Sequence, residues 1–220
     1  MNTPRPVVVW DVPTRAVHWL LVALVSAQYA SGKFGWFDMQ WHIYAGYLTL
    51  VVVLFRLVWG FIGSDSARFR QFLRGPSAVF GYLRSWRNQP DAPGRTHNPL
   101  GGWSAVIMLC VLLAMALTGL ATSDDIDWFG PWAATLDSAT VRSATRWHHW
   151  LGDVLPWLIA LHVAAIAWHE LRGERLVATM LHGRRLLTGA APRLTSAWLA
   201  VVAVVVCALV VYLLVRLAEP

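Results

Sequence analysis

Five apolar stretches separated by polar segments set the plan of this chain: 17–32, 43–63, 103–121, 150–168 and 197–217. A membrane-spanning helix needs roughly 20 mainly apolar residues. The first stretch is short by that measure, but 14–33 makes a full span with polar ends. The pattern predicts an all-α membrane protein whose five spans form one bundle, the last a C-terminal transmembrane helix over 196–217. Between the second and third spans, Val79, Leu83 and Trp86 fall at i, i+4 and i+7 with Arg84 and Arg87 beside them, which reads as an interfacial amphipathic helix over 76–87. Residues 88–102 carry Pro90, Pro93, Gly94, Pro99, Gly101 and Gly102 and read as a turn-rich connector. Residues 174–185 read as a second surface helix.

Composition agrees with a membrane bundle. The chain is 57% hydrophobic and 14% charged, with a mean hydropathy of +0.49, which excludes a disordered chain and argues against an ordinary soluble domain. Tryptophans cluster near the ends of the apolar stretches (Trp10, Trp36, Trp41, Trp59, Trp103, Trp147, Trp150, Trp168), as interfacial anchors do. A cleaved leader is disfavoured, because Tyr29 suits the cut site poorly and His18 interrupts the apolar region. Cys110 and Cys207 lie inside apolar stretches and read as buried, inert thiols. No C-x-x-C-H is present, so covalent c-type haem is not expected.

Charge sets the topology. Segment 64–101 holds Arg68, Arg70, Arg74, Arg84, Arg87 and Arg95, and segment 170–196 holds Arg172, Arg175, Arg184, Arg185 and Arg193, whereas the alternate loops carry few basic residues. The positive-inside rule then places the N-terminus in the cytoplasm and the C-terminus outside. The net charge of +6 is thereby accounted for without a nucleic-acid partner.

Within this frame the histidines carry the chemistry. A histidine in a membrane helix needs a partner. His18 enters the first helix from inside; His42 and His148 start the second and fourth helices from outside. His162 lies 14 residues beyond His148, roughly 21 Å along the helix and only about 40° around it. The pairs are therefore His18–His162 at an inner level and His42–His148 at an outer one. His149 points about 140° away from His162 on the same helix, which selects His148 over its neighbour. Both outer histidines are followed at i+4 by glycine (Gly46 and Gly152), leaving room for a flat macrocycle, and the inner two are not. Arg56, 14 residues after His42, and Arg15, one turn before His18, are candidate partners for propionates, with snorkelling as the alternative for Arg56. Structural zinc would gather four ligands in one sphere. Two opposed imidazoles on separate helices instead suit the axial positions of haem, giving two haems with iron atoms roughly 20 Å apart. His97, His169 and His182 read as interfacial, hydrogen-bonded residues.

The segments Trp10-Asp-Val-Pro-Thr-Arg-Ala-Val-His-Trp19, Trp41-His-Ile-Tyr-Ala-Gly46, Phe55-Arg-Leu-Val-Trp-Gly60, His97-Asn-Pro-Leu-Gly-Gly102 and His148 through His162 resemble bacterial cytochrome b561, a di-haem membrane family that includes the b-type subunits of nickel–iron hydrogenases. The resemblance spans about residues 8–187. It implies a four-helix core, two b haems ligated by His18, His42, His148 and His162, quinone-linked electron transfer, and a His97 loop near the inner haem. The expected function is electron transfer in a respiratory chain, between the quinone pool and a redox partner such as a cytochrome c, hydrogenase or dehydrogenase. Two alternatives are a self-contained superoxide:quinone oxidoreductase, which the acidic outer loop disfavours, and a histidine-lined metal-ion transporter, which predicts one midplane site. The fifth span departs from the family pattern and reads as an accessory helix that packs a partner or a second copy in a homodimer.

Overall fold

A computed structural model describes residues 5–85, 98–187 and 190–218. Its first long helix, α1 (Val12–Phe34), starts where Asp11 caps it: Oδ1 accepts from the Thr14 N–H at 2.8 Å. It stops at Gly35, whose φ of +63° is the left-handed conformation that a side chain would resist. Asp38 caps α2 (Met39–Ile62) three residues later, so the two helices form a tight hairpin. The short helix α3 (Phe69–Phe72) and α4 (Pro76–Ser85) follow. Of the expected apolar face, Leu83 is exposed and Val79 is half-buried, with Phe80 exposed beside them; Trp86 and Arg87 lie outside the described residues. Residues 88–97 of the expected connector also lie outside them. Helix α5 (Pro99–Gly119) begins four residues before the apolar stretch, because Asn98 caps it and Pro99 sits in its first turn.

Helix α6 (Ser138–Leu171) is longer than its apolar stretch by about three turns at its start. His148 therefore lies well inside this helix, not at its beginning. The polar residues 138–147 hide this extension from a hydropathy reading, and Asp137 closes it as a cap. Its carboxylate accepts from the Thr140 hydroxyl and from the Ala139 and Thr140 N–H groups, the hydroxyl bond foremost among the causes that hold its pKa below the usual carboxylate range. A depressed pKa means that the cap contributes fully above the ordinary value of about 3.9 and is lost as pH falls below it. Amide exchange at residues 139–141 is expected to accelerate in that acid window, and Asp137→Asn to remove the acid dependence; an unchanged dependence in that variant would refute the cap's role.

The final elements are α7 (Leu176–His182) and α8 (Ala197–Arg216). Two strands, β1 (Arg5–Val8) and β2 (Arg184–Leu187), pair antiparallel with Arg5 opposite Leu187. The chain is mostly helical, as expected, and this short ribbon is an addition that the sequence reading missed; the predicted 174–185 surface helix is reduced to α7. Four-residue strands carry too little periodicity to be read from sequence, and their partners are non-local.

Helix α2 is the hub, packed against α1, α5 and α8, and α6 packs on α5. Lys33 on α1 meets Asp153 on α6 at 2.7 Å, closing the ring α1–α2–α5–α6, with α8 outside it on α2. The start of α8 is held by hydrogen bonds from Asp65 N–H to Arg193 O and from Thr195 N–H to Ser64 Oγ. Its Ala200, Ala203, Cys207 and Val211 are buried. Cys110, by contrast, is exposed on α5, correcting the expectation of a buried thiol: an apolar stretch does not say which face meets lipid.

Among the described residues, four helices are long and apolar enough to cross a membrane: α2, α5, α6 and α8. Helix α1 has the length but is not among them; Arg15, His18, Gln28 and Lys33 dilute its hydropathy.

Candidate functional site

The α1–α2 hairpin and the α5–α6 pair each present one histidine to the other. His42 on α2 and His148 on α6 face one another with ring centres 6.2 Å apart and planes at 77°. In each ring Nδ1 is committed to a backbone carbonyl of the preceding long helix: His42 Nδ1 to Gln28 O at 3.0 Å, and His148 Nδ1 to Met115 O at 2.9 Å. A carbonyl only accepts, so each Nδ1 carries the proton and each Nε2 the lone pair. That is the arrangement by which an outer hydrogen bond orients a metal-bound imidazole.

The two holders are built alike. Ser31 Oγ donates to Ala27 O and Gln28 O and lies 3.1 Å from His42 Nδ1. Thr118 Oγ1 donates to Ala114 O and Met115 O and lies 3.5 Å from His148 Nδ1. The next residue in each case is a glycine against the ring: a Cβ on Gly32 would stand 3.0 Å from His42 Cε1, and one on Gly119 would stand 3.1 Å from His148 Cε1. Gly46 and Gly152 complete the correspondence. Their nearest neighbours are the side chains of Gln28 (3.6 Å) and Met115 (3.8 Å), ordinary contacts that leave both positions uncrowded. The sequence reading found only His-x-x-x-Gly and missed Ser-Gly (31–32) and Thr-Gly (118–119). The dipeptides were visible, but their distances to the histidines differ (10 residues and 29) because the segment joining α5 to α6 is longer and α6 begins further ahead of its histidine.

At the other level, His18 on α1 and His162 on α6 are electrostatic neighbours. Arg56 is buried on α2, with its guanidinium carbon 5.3 Å from the centre of the Phe69 ring. The chain itself supplies a counter-charge that the sequence reading missed: the buried Asp11 carboxylate interacts with Arg56 and accepts from the fully buried Trp59 Nε1–H at 2.9 Å. Arg15 is divided. Its Nη1 donates to Leu181 O at 2.5 Å, tying α1 to the end of α7, while Nε is buried without a hydrogen-bond partner.

His149 is exposed on the outer side of α6. His169 bonds through Nδ1 to Glu174 at 2.8 Å and faces Asn98 Nδ2, which also donates to Tyr82; this is the interfacial, hydrogen-bonded role expected for it. His182 ends α7 on the surface, and His97 lies outside the described residues. Among the described residues no three His, Cys, Asp or Glu side chains gather as a metal-binding group; the membrane histidines stand in pairs.

These residues fit haem on two counts. Two collinear metal–imidazole bonds of about 2 Å, each with about 1.1 Å from nitrogen to ring centre, put ring centres about 6 Å apart, which the outer pair matches. At the inner level, His18 Nδ1, Thr14 Oγ1, Arg15 Nε and Arg56 Nη1 are all buried without hydrogen-bond partners. Unpaired polar groups of this kind are costly, and an anionic, iron-bearing group would satisfy them.

The family model described as prokaryotic cytochrome b561 matches residues 9–183. No curated protein and no solved structure matches the chain.

Proposed function

The chain belongs to the prokaryotic cytochrome b561 family, and we propose that it binds two b haems, each between a pair of histidines, and passes electrons between the quinone pool and a partner redox protein. Membership makes it a b-type membrane cytochrome of electron transfer and a multi-pass protein of the inner membrane. The finer reading rests above all on the outer pair, His42 and His148, each with its Nδ1–H held by a carbonyl and its Nε2 free to ligate.

Haem, when bound, supplies a one-electron iron couple. The chain's residues do the rest. His42 and His148, and at the inner level His18 and His162, would hold the two haems, each pair leaving no place at the iron for oxygen. Arg56 and Arg15 offset propionate charge. Gly46 and Gly152 keep the macrocycle's path open. Helix α1 completes the bundle as a span despite its polar residues, because Gln28 shares its amide with Thr49 Oγ1 on α2 at 2.8 Å and His18 ligates. Five spans then place the N-terminus in the cytoplasm and the C-terminus in the periplasm. Helix α8 offers its outer face to a redox partner, such as a cytochrome c, hydrogenase or dehydrogenase, or to a second copy.

Purified protein is expected to contain two b haems per chain by pyridine haemochrome, and to be reduced by a quinol. Absence of haem would sink the whole reading; haem that no quinol reduces would sink the quinone link alone.

A further inference from the structure

We propose that Ser31 and Thr118 are positioning residues that set the orientation of the two outer imidazoles, and that Ser31 has the greater influence. This rests on the haem reading above.

An imidazole on a helix can rotate about two side-chain bonds. A hydrogen bond from Nδ1 to a carbonyl fixes where that nitrogen lies, yet lets the ring swing about the bond. A second, off-axis contact is needed to choose the plane. The hydroxyls supply it. Ser31 Oγ stands 3.1 Å from His42 Nδ1 and donates to Gln28 O, the very oxygen that receives the imidazole proton. The N–H is thereby shared between two acceptors that are themselves locked together. Gly32 closes the third side, where a Cβ would crowd Cε1. Thr118, Met115 O and Gly119 repeat the device around His148. That the hydroxyl, the carbonyl and the glycine recur together at both histidines, on different helices, argues against incidental helix back-bonding.

The copies are unequal. At 3.5 Å, the contact from Thr118 to His148 Nδ1 lies at the edge of hydrogen bonding, whereas 3.1 Å is within it. Thr118 therefore acts mainly through the Met115 carbonyl, and Ser31 acts both directly and through the Gln28 carbonyl. The outcome of both is a 77° angle between ring planes. Near-perpendicular axial planes leave two iron d orbitals almost equal in energy, which gives a ferric low-spin centre a large g anisotropy; rotation toward parallel planes separates those orbitals and narrows it. An acceptor on Nδ1–H also favours the ferric state by strengthening electron donation to the metal, so its loss raises the potential.

The test uses the full chain in detergent, with haem content, ferric electron paramagnetic resonance and redox titration measured on each variant. Ser31→Ala is expected to retain two haems while the largest g value of the outer haem falls. Its reduction equilibrium should shift toward the ferrous form by roughly threefold to tenfold, tenfold being 59 mV for one electron. Ser31→Thr should restore both readouts. Thr118→Val should move them in the same direction by less, and Thr118→Ser should leave them unchanged. If Ser31→Ala does not accumulate, Ser31→Cys, which keeps the volume and weakens the hydrogen bond, is judged by the same criteria. Two retained haems with unaltered g values and potentials would overturn the positioning role and leave the haem reading intact. An unaltered outer signal in His42→Ala would instead remove the haem reading on which it rests.

Discussion

His148→Ala yields a protein with one haem per chain, and His149→Ala one with two. The first substitution deletes one axial ligand and leaves His42 to hold the outer site alone. The neighbouring histidine cannot substitute, although the ring centres of His148 and His149 are 6.3 Å apart. Consecutive helical residues point about 100° apart, so bringing His149 to face His42 would require α6 to turn by that angle. Its packing on α5, with Leu155 clustered against Leu112, opposes any such rotation. The inner haem should survive, because His162 lies about four turns further along α6 and its surroundings are untouched. A pyridine haemochrome count with the reduced α-band spectrum reads both variants. Unchanged haem content in His148→Ala would refute the assignment, and loss of both haems would show that the two levels do not load independently.

Gly60→Ala should destabilise the protein by about 1–3 kcal/mol, the usual cost of overpacking a filled site, and weaken haem retention at the inner level. A Cβ at this position would lie 2.1 Å from Phe69 Cε2 and 2.5 Å from Cζ, so the ring must leave. Phe69 packs edge-on against Phe61 and Phe72 and lies beneath the Arg56 guanidinium. Displacing it disturbs α3 and removes the aromatic partner of the buried arginine. The opposing effect, alanine's better helix propensity, is worth about 1 kcal/mol at most; the steric term wins. Thermal unfolding followed by haem absorbance measures the loss. Phe69→Ala in the Gly60→Ala background relieves the overlap, so it should cost less than the two single changes summed. A Gly60→Ala protein as stable as the parent would remove this account.

Much of the helical plan was legible because it follows from hydropathy. Apolar stretches at 43–63, 103–121, 150–168 and 197–217 correspond to α2, α5, α6 and α8, whereas the caps that set their starts, Asp38, Asn98 and Asp137 among them, emerged only from the structure. The departures share a cause. The polar first turns of α6, the ribbon joining residues 5–8 to 184–187, and the exposure of Cys110 depend on contacts that hydropathy does not encode.

The candidate site divides in the same way. Helical arithmetic alone put His18 and His162 at one level and His42 and His148 at another, and turned His149 away, because rise and rotation per residue are properties of the backbone. Sequence by itself therefore determined which residues could meet. Which groups hold them was decided only by the tertiary structure. The Gln28 and Met115 carbonyls, the Ser31 and Thr118 hydroxyls, and Gly32 and Gly119 reach the histidines across helix–helix interfaces, and Asp11 reaches Trp59 and the neighbourhood of Arg56 from the start of another helix. These contacts depend on which helices are neighbours and how they are rotated, and the packing of side chains between helices sets both.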